Sequence, residues 1–203
     1  MFLRHPDPGH TKTRLIPALG AEGAAELHRV VVEHTVAVAA SLVRDAVRTW
    51  LLVDPPAAVP AVESWLGPPA GMVVLPQPPG DLGERLKSSM AAAFLAGARR
   101  VVAIGTDCPD LEARHLEAAL EALEAREAVV GPAADGGYYL LGLSQPLLSV
   151  FDAIPWSSDR TLEVTRRRLA AAGARVAETP AEMGSAMASL LKERGLLPEG
   201  ARV

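Results

Sequence analysis

The chain has 203 residues, 49% of them hydrophobic and only 4% aromatic, with a formal net charge of -4. That length suffices for one substantial core. The acidic balance and scarce aromatics argue against a nucleic-acid groove, and a single cysteine excludes an internal disulfide. The sequence carries no apolar run long enough for a membrane span and no secretory leader pattern. The expectation is a cytoplasmic protein.

In chain order, the first apolar stretch is short, residues 1–4, less than the roughly 5–6 residues of a typical strand. A loop rich in Pro, Gly and basic residues follows, then a helical pattern over 21–47 with Leu27, Val31, His34 and Val38 on one stripe. Residues 49–54, 71–75, 100–104 and 128–131 are short apolar runs ended by Gly, Pro or Asp, and read as strands covered on both faces. Residues 137–142 form a further, aromatic-rich strand. Helical patterns occupy 82–98, 112–126, 158–172 and 180–194. Such alternation predicts a mostly parallel sheet flanked by helices. The Pro-rich pieces at 55–56, 68–69 and 76–79 read as stiff loops within one domain spanning 1–203.

In a parallel α/β sheet, ligands bind at the carboxyl ends of the strands. The segment "GTDCPD" (105–110) lies at such an end. A carboxylate there can hold a hard cation such as Mg2+ or Mn2+, and this is the favoured reading of Asp107. For Asp110 the favoured reading is a helix cap. Cys108 is read as a small buried filler rather than a nucleophile. A second strand end carries Asp135, Gly136 and Gly137, where two readings stand side by side: a ligand for a metal or substrate hydroxyl, or an Asp-Gly hairpin turn. In the first loop, Gly9, Lys12 and Arg14 can surround phosphates with amides and cations, although the Walker A spacing is absent. Gly80, Asp81, Gly83 and Arg85 open a helix, and either approach a nucleotide or cap that helix.

The segments "PGHTKTRL", "GDLGERL", "GTDCPDL", "GPAADGGYYLLGL" and "IPWSSDR" occur in this order. Together they resemble a bacterial, glycosyltransferase-like branch of the nucleotide-diphospho-sugar transferase superfamily with the GT-A fold. More distantly they are similar to phospholactate guanylyltransferase and the molybdenum-cofactor guanylyltransferase. The resemblance spans residues 2–169. It implies a three-layer α/β/α sandwich and a divalent metal, Mg2+ or Mn2+. Its partners would be a nucleotide or nucleotide-sugar and a small-molecule acceptor, and it leaves the oligomeric state open.

By the same resemblance, Lys12 and Arg14 handle the nucleotide phosphates. Gly80, Asp81, Gly83 and Arg85 approach base and ribose, and Asp107 binds the metal. Asp135, Gly136 and Gly137 serve the second substrate; Asp135 as a further metal ligand is the reading of its strand-end position given above. Trp156 and Ser157 border the acceptor side or, for Trp156, simply pack. The sequence departs from the family in lacking an Asp-x-Asp-Thr stretch before the last helix. The nearest carboxylates there are Glu178 and Glu182.

The expected activity is glycosyl transfer from a nucleotide-sugar. Nucleotidyl transfer from a nucleoside triphosphate is the first alternative, and a nucleotide-binding module without turnover is the second. A phosphatase using Asp107 as nucleophile is disfavoured, because the Asp-x-Asp pair that such chemistry uses is absent.

Overall fold

The computed structural model describes residues 1–43, 47–67 and 71–179. They fall into two compact units, one built from Met1–Pro76 with Gly105–Leu111, the other from Gln77–Ile104 with residues 112–179.

The first unit holds three parallel strands in the order β1 (Phe2–Arg4), β2 (Thr49–Asp54), β3 (Met72–Pro76). β1 is as short as the sequence suggests, yet it is well held. It pairs with Leu52–Asp54, and the His5 amide continues the ladder to the Asp54 carbonyl at 2.8 Å. Between β1 and β2 runs α1 (Ile16–Ser41), which starts with a proline in its first turn and bends at Gly20, whose φ of 71° no helix accommodates. The run beyond this kink begins at residue 21, as the sequence pattern predicts, and ends at Ser41 rather than at 47. It buries Leu27, Val31, Val32 and Val36 against a core that includes Leu3, Leu51 and Val53. A second helix, α2 (Val59–Leu66), was absent from the sequence reading. It opens with Pro60, whose fixed φ suits a first turn, and closes on Gly67 in the left-handed region.

The second unit holds the sheet β4–β6–β5–β7, from β4 (Val101–Ile104), β5 (Ala128–Pro132), β6 (Tyr138–Leu143) and β7 (Val176–Glu178). β5 and β7 are parallel, whereas β6 runs antiparallel to both β4 and β5. The reason is length: the β5–β6 connection is too short for a crossover, so the chain must return as a hairpin. The helices are α3 (Leu82–Leu95), α4 (Ala113–Ala122) and α5 (Thr161–Ala171). Val129, Val130, Leu140, Leu141 and Leu143 of β5 and β6 are completely or almost completely buried, as residues on both faces of a covered sheet should be, and Leu169 of α5 is buried with them. The helix expected at 180–194 lies outside the described residues.

Candidate functional site

The loop after β1 is shaped by its own hydrogen bonds. The Thr11 hydroxyl and amide both donate to the Asp7 carbonyl, at 2.6 and 3.2 Å, and the His10 amide joins them at 3.0 Å. Lys12 then takes a left-handed conformation, φ 48°, immediately before a turn of 3-10 helix at Thr13–Leu15. This lifts Lys12 out of the regular path of the chain and turns its side chain inward: its Nζ lies 3.0 Å from Asp107 Oδ1. The Lys12 side chain is 19% exposed, that of Asp107 72%. Gly9 and Arg14 are exposed, and a Cβ on Gly9 would meet nothing.

Asp107 sits on the segment 105–111, which is pinned at its end. Leu111 is buried, and its carbonyl accepts from His34 Nε2 at 2.8 Å. His34 thus serves as an anchor rather than as part of an apolar stripe. Asp110 does not cap the next helix, contrary to expectation. Glu112 is the cap residue of α4, and its amide donates to His115 Nδ1 at 3.0 Å. Cys108 is half-buried, and burial, followed by the charge of Asp110, pushes its thiol up to about 11. A protonated thiol is a poor nucleophile, which agrees with the filler reading.

A residue that sequence reasoning passed over completes this cluster. His28, on α1, is 3% exposed. Its Nε2 lies 2.9 Å from the Arg4 carbonyl. A carbonyl only accepts, so Nε2 carries the proton and the neutral ring presents a lone pair at Nδ1. Nδ1 is buried and has no hydrogen-bond partner, and Asp107 Oδ1 lies 3.8 Å from it. Burial holds the imidazole below its usual pKa, opposed by the Arg4 carbonyl and the Asp107 charge. The signal was present in the sequence: a histidine among the alanines, leucines and valines of 24–39.

The second unit carries the other expected residues. Asp81 is the cap of α3 in a reciprocal arrangement: its carboxylate accepts from the Glu84 amide, and Glu84 accepts from the Asp81 amide, both at 2.9 Å. Arg85 braces the preceding loop, donating from Nε to the Gly80 carbonyl at 2.8 Å and from Nη1 to Gln77 Oε1 at 3.0 Å. Gly83 has a packing reason to lack a side chain, since a Cβ there would lie 2.6 Å from Trp156 Nε1. Trp156 also meets Tyr138 edge-on, with ring centroids 6.3 Å apart. Asp135 Oδ1 accepts from the Gly137 amide at 2.9 Å within the β5–β6 turn. Gly136 has φ 83°, and a Cβ on it would fall 2.2 Å from the Asp159 carbonyl oxygen. Glu178 pairs with Arg166 at 2.7 Å, and Glu182 lies outside the described residues. Among the described residues no three His, Cys, Asp or Glu side chains converge as a metal cage, and no helix is long and apolar enough to cross a membrane.

This architecture is an α/β protein with parallel strand pairing, and its solved likenesses are nucleotide-diphospho-sugar transferase and cytidylyltransferase folds. A candidate nucleotide-diphospho-sugar transferase from Desulfovibrio desulfuricans G20 matches with a TM-score of 0.79 and 35% identity, over 89% of this chain and 78% of that one. CMP:2-keto-3-deoxy-manno-octonic acid synthetase, solved with CTP, matches at TM-score 0.56 and 15% identity, over 96% of this chain and 95% of that one. A cytidylyltransferase from Leptospira borgpetersenii matches at TM-score 0.52 and 10% identity, over 85% and 87%. The last two share the fold alone. Curated proteins give no match. The chain belongs to the bacterial family DUF2064, described as an uncharacterized protein conserved in bacteria, whose pattern matches residues 36–158, more than half its length.

Proposed function

We propose that the protein is a metal-dependent transferase acting on a nucleotide-sugar donor. The observation that carries this reading is the Lys12–Asp107 pair, a cation and an exposed carboxylate 3.0 Å apart. The 35% identical relative, described as a candidate nucleotide-diphospho-sugar transferase, supports the donor class. Asp107 fits a divalent cation: its side chain is mostly solvent-exposed and sits beside a buried imidazole nitrogen with no partner. Such a cation supplies screening of the phosphate charge and stabilises the leaving group.

The roles of the chain's own residues follow from charge and shape. Lys12 and Arg14 hold phosphate oxygens through charge-assisted hydrogen bonds. Gly9 leaves its backbone open to approach, with nothing that a side chain would meet. In the other unit, the loop of Gly80, Asp81, Gly83 and Arg85 is braced by its own hydrogen bonds, so it costs little ordering entropy on receiving a base and ribose. Asp135, Gly136 and Gly137 are the candidate acceptor residues of that unit. Cys108 takes no part.

The distant cytidylyltransferase likenesses favour nucleotidyl transfer as the second reading. The two reactions leave different products. Glycosyl transfer from a nucleoside diphosphate sugar releases a nucleoside diphosphate, whereas nucleotidyl transfer from a triphosphate releases pyrophosphate. Incubation with each donor class and Mn2+, with both products quantified, decides between them. Nucleoside diphosphate is the expected product. Pyrophosphate instead would replace the first reading with the second. Nucleotide binding with neither product would leave a binding module without turnover.

A further inference from the structure

We propose that His28 is a metal ligand, its Nδ1 joining Asp107 in a mixed nitrogen–oxygen site that favours Mn2+ and similar transition metals over Mg2+. This inference rests on the reading of Asp107 as a metal ligand.

Three features of His28 point the same way. The Nε2 proton is given to the Arg4 carbonyl at 2.9 Å. Metal-binding histidines characteristically donate their second ring N–H to a carbonyl or carboxylate in this manner, which fixes the tautomer and aims the lone pair. The Nδ1 lone pair is buried and has no hydrogen-bond partner. Buried polar atoms are rarely left so, because the loss of hydration is not repaid. A histidine kept only to tie α1 to β1 would use Nε2 and leave no reason for an unsatisfied Nδ1. Finally, Asp107 Oδ1 stands 3.8 Å from Nδ1. Metal–ligand bonds near 2.1 Å put two donors of one ion roughly 3–4 Å apart.

In this structure the Lys12 ammonium pairs with the same Oδ1 at 3.0 Å. A divalent cation with an imidazole donor displaces it, and the released ammonium is then available to phosphate oxygens bound beside the metal. The mostly exposed Asp107 side chain gives the cation its entry from solvent. Two protein donors do not fill a coordination shell, and no third His, Cys, Asp or Glu joins them among the described residues, so water and phosphate oxygens complete it. Imidazole suits transition metals such as Zn2+; Mn2+ is at home among oxygen donors but accepts a nitrogen donor more readily than Mg2+, which demands oxygen ligands and keeps its waters.

The direct test uses the full chain with 15N-labelled histidine, loaded with Mn2+ alone and examined by pulsed electron paramagnetic resonance. A 15N coupling to the metal is expected. It should persist in His5→Gln, His10→Gln, His34→Gln and His115→Gln, and vanish in His28→Gln, with circular dichroism reporting whether that variant folds. Should His28→Gln not fold, persistence of the coupling in the quadruple His5→Gln/His10→Gln/His34→Gln/His115→Gln variant, which keeps His28 as its one histidine, still assigns it. His28→Gln should also weaken Mn2+ about tenfold while leaving Mg2+ within about twofold. Mn2+ binding that is lost in Asp107→Asn but shows no histidine coupling in the wild type overturns the assignment of His28 and leaves that of Asp107 standing. Mn2+ binding that is absent, or survives Asp107→Asn undiminished, overturns both.

Discussion

The loop carrying Lys12 and the loop carrying Asp81 look alike as sequence, each a glycine-marked stretch with a carboxylate or a cation at the start of a helix. As structures they differ. In the 80–85 loop the polar groups named above are committed to shape: Asp81 and Glu84 cap each other, Arg85 holds Gly80 and Gln77, and Gly83 makes room for Trp156. Around Lys12 the polar groups meet one another with capacity left over, in a mostly exposed carboxylate and an orphaned imidazole nitrogen. The first arrangement makes a rigid surface. The second retains binding capacity, which is what chemistry on a charged ligand requires.

The sharpest break of this contrast comes from Gly136→Ala. Its positive φ and the 2.2 Å approach to the Asp159 carbonyl leave no room for a methyl group. The variant should lose about 3 kcal/mol or more in urea unfolding, as a shape-determining position must. Lys12→Ala should do the opposite. Its partly exposed ion pair contributes no more than about 1 kcal/mol to stability, whereas nucleotide affinity by calorimetry should fall about tenfold through loss of a charge-assisted phosphate contact. A smaller effect separates two substitutions at Asp81. Asp81→Ala removes the cap of α3, costing about 1 kcal/mol and a few-fold in nucleotide binding, while Asp81→Ser keeps a capping oxygen and should preserve both. Equal losses in the two variants would mean that the carboxylate itself touches the ligand. Smallest of all is the response of Cys108 to alkylation. With its thiol pushed up to about 11, the thiolate fraction is small below that pH. Iodoacetamide should therefore label the native protein slowly at pH 8, with a rate that climbs toward pH 11 and returns to that of a free thiol on unfolding.

How much of this was legible from residues alone divides along the same physical lines. The apolar runs of β2, β3, β4 and β5 announce themselves by continuous hydrophobicity, although β3 is not covered on both faces as expected, since Val73 is 47% exposed. β7 does not, since Val176–Glu178 is too short to carry a pattern. The direction of β6 follows from the shortness of the turn at Asp135 and Gly136, a fact about connection length rather than composition. Gly20 marks the start that the pattern of 21–47 gives, since its non-helical conformation separates a short first turn at 16–19 from the long helical run that begins at residue 21. The pairing of Lys12 with Asp107 joins positions 12 and 107, far apart in the chain, and no local pattern foretells it. His34 was assigned to the buried stripe and His28 was not. The helix phase reverses this: His28 lies with Val31, Val32 and Thr35 on the buried face, and His34 is half-buried, holding the Leu111 carbonyl.

The account depends most on Asp107 as the residue through which a cation brings nucleotide to the protein. Asp107→Asn keeps the shape of the side chain and removes its charge. Calorimetric titration of a nucleotide into wild type and variant, each with and without Mn2+, isolates that charge. Mn2+ should strengthen nucleotide binding to the wild type by about tenfold or more and have no effect on the variant, whose unfolding transition should stay near that of the wild type. An equal gain from Mn2+ in Asp107→Asn would contradict the account.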